Sequence, residues 1–194
     1  MGEVVNVQAQ NDIEEVISLS KEIVENYKSY KGVYQRYIDA KRRGNLNRLK
    51  EKEKKCGEKY EQFIEKTKDI INRYGFSEDV VRAFIEPSGV AEAIASTITF
   101  KPTQLRKIFH QIKSIKQEVK GEADLGSNEI SLIKLLPLLA YSKGRGLISE
   151  DFFELSKTLI AKVRESKKRE DFNKFVDIFE AIVAYHKYYN PKEN

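Results

Sequence analysis

The chain has 194 residues, 35 Lys and Arg against 30 Asp and Glu, a net charge of +5 and a hydrophobic share of 40%. That apolar share is enough for a core, so wholesale disorder is excluded, and the length fits one domain or one domain with an appendage. The longest apolar run, Leu135 to Tyr141, falls far short of the roughly 20 residues needed to cross a bilayer, so no membrane span is expected.

Residues 1–11 read as a flexible N-terminus. They carry no cationic stretch followed by an apolar core, so they do not form a secretory signal, and a cytoplasmic protein is the expectation. From Ile13 the apolar positions recur at spacings of three and four through Val16, Ile17, Ile23, Val24, Tyr27, Tyr30, Tyr34, Tyr37 and Ile38, which predicts a helix. Arg42 and Arg43 followed by Gly44 form a helix stop. A second periodic run, Leu46 to Tyr74, ends at Gly75. Residues 12–75 are therefore predicted to form a long antiparallel helical hairpin, each arm about 45 Å long. The arm either projects or packs on the remainder.

Ser77 caps a short helix with Glu78 and Asp79 in its first turn. That helix stops near Pro87-Ser88-Gly89, and a second short one covers Val90 to Ile98. Pro102 or Thr103 opens a helix to about Lys120. A polar loop, Gly121 to Ser127, follows. Asn128 caps a helix through Tyr141 in which Pro137 predicts a kink or a split. Ser149 caps a helix to about Glu165, and the last helix runs from about Glu170 to Tyr189, leaving 190–194 as a tail. No segment alternates as a strand does. The prediction is an all-α chain, with a bundle of about five to six helices over 76–189 preceded by the hairpin.

Residues 101–121 hold six cations against one acid, Glu118, so this one stretch carries an excess equal to that of the whole chain. On the helix opened by Pro102, Leu105, Ile108, Ile112, Ile115 and Val119 share one face. Arg106, Lys113 and Lys120, seven apart, form a flanking stripe of roughly 21 Å, which suits a line of phosphates. Lys116 extends its edge, and a solvated helix face is the plain alternative. Lys143-Gly144-Arg145-Gly146 either lets backbone amides approach an anion or simply ends a helix with complementary cations. Lys167-Lys168-Arg169 lies between two helices. Lys41, Arg42, Arg43, Arg48 and Lys50 crowd the hairpin tip.

Little points to catalysis. Arg106 and His110 stand in an Arg-x-x-x-His spacing, one short of the spacing used by HEPN-class helical ribonucleases. His186 sits among Phe175, Phe179 and Val183 and reads as a core histidine. Glu180, alone in an apolar stretch, is expected to pair with a cation across helices. Cys56 reads as a packing residue, and a lone cysteine excludes an intrachain disulfide. One Cys and two distant His give no basis for a zinc site, and no Gly-rich loop follows a strand, so neither metal nor cofactor is expected.

Three segments in series, Thr103-Gln104-Leu105-Arg106-Lys107, Leu138 to Arg145 (LLAYSKGR) and Phe175 to Lys187 (FVDIFEAIVAYHK), resemble the small helical subunit of type III-A (Csm) CRISPR RNA-guided effector complexes. The resemblance covers roughly residues 90–189. It implies a non-catalytic subunit of an antiviral ribonucleoprotein. Several copies stack, and their cations hold the backbone of guide RNA and target RNA, while cleavage belongs to other subunits. The partners implied are those RNAs, the other subunits of the complex and further copies of the chain. Carried over by position, Gln104, Arg106 and Lys107 fall in the first motif and Lys143 and Arg145 in the second. With the charge map, the candidate RNA-binding set is Lys101, Gln104, Arg106, Lys107, Lys113, Lys120, Lys143, Arg145, Lys167 and Lys168. Residues 12–75 depart from the family pattern, and no contact is carried over to them. A helical adaptor that binds only protein is the competing reading, motivated by the long Tyr-rich hairpin.

Overall fold

The first helix, α1 (Gly2–Glu25), starts at Gly2 rather than at residue 12. A computed structural model describes the backbone of residues 2–98, 102–119, 124–126 and 129–191, and side chains at 7–98, 103–119, 124–126 and 129–191. Lys101, Lys120 and the expected cap Asn128 lie outside the described residues, as does most of the loop that opens at Gly121.

The predicted first arm is three helices: α1, then α2 (Tyr27–Tyr30), then α3 (Val33–Arg42). The break after α2 falls at a glycine and is held by a distant bond. Gly32 sits at φ +69°, where glycine is favoured, and its amide donates to the Thr97 carbonyl at 3.1 Å. That bond ties the broken arm to the centre of the fold. A 3-10 turn (Leu46–Arg48) leads into α4 (Glu51–Tyr74), closed by Gly75 at φ +60°. Helices α1 and α4 run antiparallel, as the ion pairs Asp12–Arg73, Glu15–Lys66 and Glu22–Lys59 require. The arm does not project. Ile13, Val16, Ile23, Tyr60, Phe63, Ile70 and Ile71 join the same buried cluster as the rest of the chain.

Ser77 caps α5 (Glu78–Ile85) through a bond from the Val80 amide. Then comes α6 (Val90–Thr97), in which every residue is buried. Its sequence, VAEAIAST, is small-residue rich, which lets neighbouring helices approach on all sides. Polar atoms are satisfied locally: Thr97 Oγ1 donates to Ala93 and Ile94 carbonyls, and Ser96 Oγ to Ala93. Glu92 accepts from the Ser88 amide and from the Tyr189 hydroxyl, both at 2.7 Å.

Helix α7 (Pro102–Glu118) begins at the predicted proline. Leu105, Ile108, Ile112, Ile115 and Val119 are all buried, as the wheel requires. The next predicted helix is split into α8 (Glu129–Ile133) and α9 (Leu135–Gly144), and the break falls at Lys134, three residues before Pro137. Pro137 thereby sits in the first turn of α9, where its missing N–H has no intrahelical partner to lose. Helix α10 (Glu150–Ser166) follows Ser149, whose side chain makes no capping bond. The last helix, α11 (Arg169–Tyr189), lays Phe172, Phe175, Phe179 and Ile182 against the core. Among the described residues there is no strand, only an isolated bridge between Asp124 and Lys168. No helix among the described residues is long and apolar enough to cross a membrane.

Candidate nucleic-acid interface

The first two motifs meet. Gln104 Nε2 donates to Ser142 Oγ at 2.7 Å, and Ser142 Oγ in turn donates to the Leu138 carbonyl. This chain pins the first turn of α7 against the last turns of α9. Arg106 and Lys107, within one turn of Gln104, and Arg145, within one turn of Ser142, therefore share one end of the α7/α9 pair. Gln104 is a structural tie in this arrangement.

The cations divide into two groups. Arg106, Lys107, Arg145, Lys167 and Lys168 are exposed and form no ion pair among the described residues. Lys113 and Lys116 are held by acids on α11: Lys113 Nζ lies 3.7 Å from Glu180 and Lys116 Nζ 3.8 Å from Asp177. Glu180 thus finds the cross-helix cation expected of it. Lys143 is committed as well. Its ammonium is paired to Glu150 and stands 4.5 Å above the Phe153 ring. Arg42 at the hairpin tip reaches the same Glu150 at 2.6 Å. Burial pushes the Glu150 carboxyl up, but the bonds from Lys143 and Arg42 together outweigh it and hold the group below its ordinary range.

The glycine-flanked Arg145 is a helix end. The Gly146 amide donates to the Lys143 carbonyl and the Leu147 amide to that of Ser142, with Gly146 at φ +64°. This is a Schellman arrangement, and it consumes both amides. The loop consequently offers the Arg145 side chain and not a backbone cradle. Arg145 Nη1 donates to the Tyr141 hydroxyl at 3.1 Å, and the guanidinium carbon is 5.5 Å from that ring's centroid. Tyr141 is itself 61% exposed. At the far end of α7 the Leu125 amide donates to the Lys167 carbonyl, and Lys167 is the left-handed cap of α10. Lys167 and Lys168 are thus tied through their backbone to the segment around Leu125.

The other candidates behave as packing residues or as plain surface. His186 is buried on the core side of α11. Burial pushes the Cys56 thiol up, against the pull of Lys52, so it is not activated. Arg106 and His110 are both exposed on α7. No cluster of three or more His, Cys, Asp and Glu among the described residues is arranged to hold a metal ion. What sequence reasoning missed were the acids that mask the cations. Glu150 and Asp177 are ordinary carboxylates in sequence, and only tertiary packing sets them beside Lys143 and Lys116. Tyr141 lay inside a quoted motif, but its exposure is a property of the fold.

The described residues form an all-helical scaffold with exposed cations near the first turns of α7 and the end of α9. A family model described as Csm2 Type III-A matches residues 86–192. The chain belongs to this family, the small subunit of type III-A CRISPR effector complexes. Helices α1 to α5 precede the matched region. No curated protein and no solved structure matches the chain.

Proposed function

We propose that this subunit binds the phosphate backbone of guide and target RNA without sequence preference, and that it does so as a non-catalytic part of the effector complex, stacked against further copies of itself. The carrying observation is that Lys107 and Arg145, near the Gln104–Ser142 contact, and Arg106, on the other flank of α7's first turns, are exposed and without acid partners among the described residues. Lys and Arg contribute affinity by releasing counterions from phosphates, and such contacts position a nucleic acid without reading its bases. A subunit that must accept any guide is suited by that chemistry. Lys167 and Lys168, exposed and without acid partners among the described residues, are included with this set, and Lys101 and Lys120 are included by charge and position in sequence.

The test is RNA binding by the purified chain across a salt series. The expected outcome is affinity that is indifferent to sequence and falls steeply with salt. Arg106→Glu, Lys107→Glu and Arg145→Glu together abolish it. Unchanged binding by that triple variant would remove this set from the account. Absence of any RNA retention at low salt, with binding to a helical partner instead, would favour a purely protein-binding adaptor.

A further inference from the structure

The stretch Ile130 to Ser149 contains no Asp or Glu, and its cations are Lys134, Lys143 and Arg145. Along α8 and α9 it also exposes apolar surface. Ile130 is 63% exposed, and Pro137 and Ala140 are exposed beside Tyr141. Within α9, positions 137, 140 and 141 follow helical spacing and line one face. An exposed large aromatic ring beside a guanidinium, on a face with cations and without acids, has a chemical complement. It is a flat π-surface attached to a phosphate. Every nucleobase has such a face, and stacking on an aromatic side chain is tolerant of sequence.

We infer that Tyr141 is a stacking platform for an unpaired nucleotide of the bound RNA, with Arg145 holding that nucleotide's phosphate. The inference rests on the RNA-binding reading above and adds a base contact to it. Arg145 reaches toward the hydroxyl of Tyr141, which orients the ring and leaves much of its surface open. Lys107, one turn from Gln104 on the flank that the Gln104–Ser142 bond sets against α9, holds the adjoining backbone. A fully paired duplex hides its base faces and gains nothing from the ring, whereas a bulged or overhanging nucleotide does.

The experiment compares two RNA duplexes, one fully paired and one carrying a single bulged 2-aminopurine, each bound to the full chain. The bulged RNA is expected to bind about tenfold more tightly, with quenched 2-aminopurine fluorescence. Tyr141→Ala brings the two affinities together and restores the fluorescence, while Tyr141→Phe, which keeps the ring, retains the preference. Because Tyr141 lies on the surface, loss of the fold is not expected, and circular dichroism checks this. If Tyr141→Ala keeps the wild-type preference while Arg106→Glu with Lys107→Glu weakens both RNAs, the stacking platform is wrong and backbone binding stands. If Tyr141→Ala alters self-association in sedimentation and leaves the RNA preference alone, the ring faces another copy and the inference is overturned. If the wild type binds neither RNA, the backbone reading fails and the platform fails with it.

Discussion

Removing two acids should strengthen RNA binding. Glu180 and Asp177 lie 3.7 and 3.8 Å from Lys113 and Lys116, and all four side chains are between a third and three-fifths exposed. Exposed pairs of this kind are worth about 0.2–1 kcal/mol each, so Glu180→Gln with Asp177→Asn leaves the fold standing. Both replacements keep the shape and delete the charge. Each cation newly available to phosphate adds about 0.7–0.9 to the steepness of log affinity against log salt. Two cations add about 1.4–1.8, so the loss of affinity between 50 and 200 mM salt grows by about tenfold relative to wild type. Titration of labelled RNA by fluorescence anisotropy at four salt concentrations reads both affinity and slope. The companion variant Arg106→Ala with Lys107→Ala loses a similar slope, because those two are already unmasked. If the acid-deleted protein matches wild type in both quantities while the Arg106 and Lys107 variant weakens, Lys113 and Lys116 do not face RNA and the stripe ends at its first turn.

Three further outcomes follow from the packing. The Glu150 carboxyl, held below its ordinary 4.5 by Lys143 and Arg42, contributes stability that is present at neutral pH and lost as pH falls through its lowered folded value. The urea-midpoint gap between wild type and Glu150→Gln should therefore be full at pH 7 and shrink as pH falls below the ordinary 4.5 through the lowered folded value, and a gap that widens in acid refutes the pairing. A Cβ at Gly57 would stand 2.3 Å from the buried Tyr37 ring, so Gly57→Ala should cost about 1–3 kcal/mol in chemical denaturation in spite of alanine's better helix propensity. The Tyr60 hydroxyl donates to the buried Asp151 carboxylate at 2.9 Å, so Tyr60→Phe should cost about 1–3 kcal/mol by the same measurement, with no change expected in a variant of exposed Tyr188.

Helix positions were largely legible because the signals are local. Gly75, Ser77, the Pro87 to Gly89 stop and Pro102 each act on their own turn, and the structure ends or starts helices at them. The buried face of α7 followed directly from the 3.6-residue period. The start of α1 and the breaks at Asn26 and Gly32 were harder to see. Gly32 leaves the helix to donate to Thr97, a residue 65 positions away, and no local pattern reports such a bond. The cationic map was legible in the same partial way. Sequence located the charges but could not tell free cations from paired ones, since Lys113 and Arg106 differ only in whether α11 sets an acid opposite them.

The N-terminal helices outside the family match bear directly on the second motif. Tyr60 of α4 binds Asp151, and Arg42 of α3 binds Glu150, so two consecutive residues that open α10 are gripped from α3 and α4. Burial raises the Asp151 carboxyl, and Ser149, Tyr60 and the backbone amides of Asp151 and Phe152 supply the polar surroundings that an isolated buried acid would lack. Glu150, fixed in this way, keeps Lys143 in place over Phe153, and Lys143 lies two residues from Arg145. The two cations of one motif are thereby given different tasks. Lys143 is spent inside the protein as a brace between α9 and α10, while Arg145, past the end of the helix, keeps its charge for solvent. Cutting the brace with Lys143→Met should accordingly lower stability, through the loss of one of the two cations that hold Glu150, more than it lowers RNA affinity, whereas Arg145→Met should do the reverse. Denaturation midpoints and anisotropy titrations on the two variants measure both quantities, and equal losses of RNA affinity would show that the pairing with Glu150 does not withhold Lys143 from phosphate.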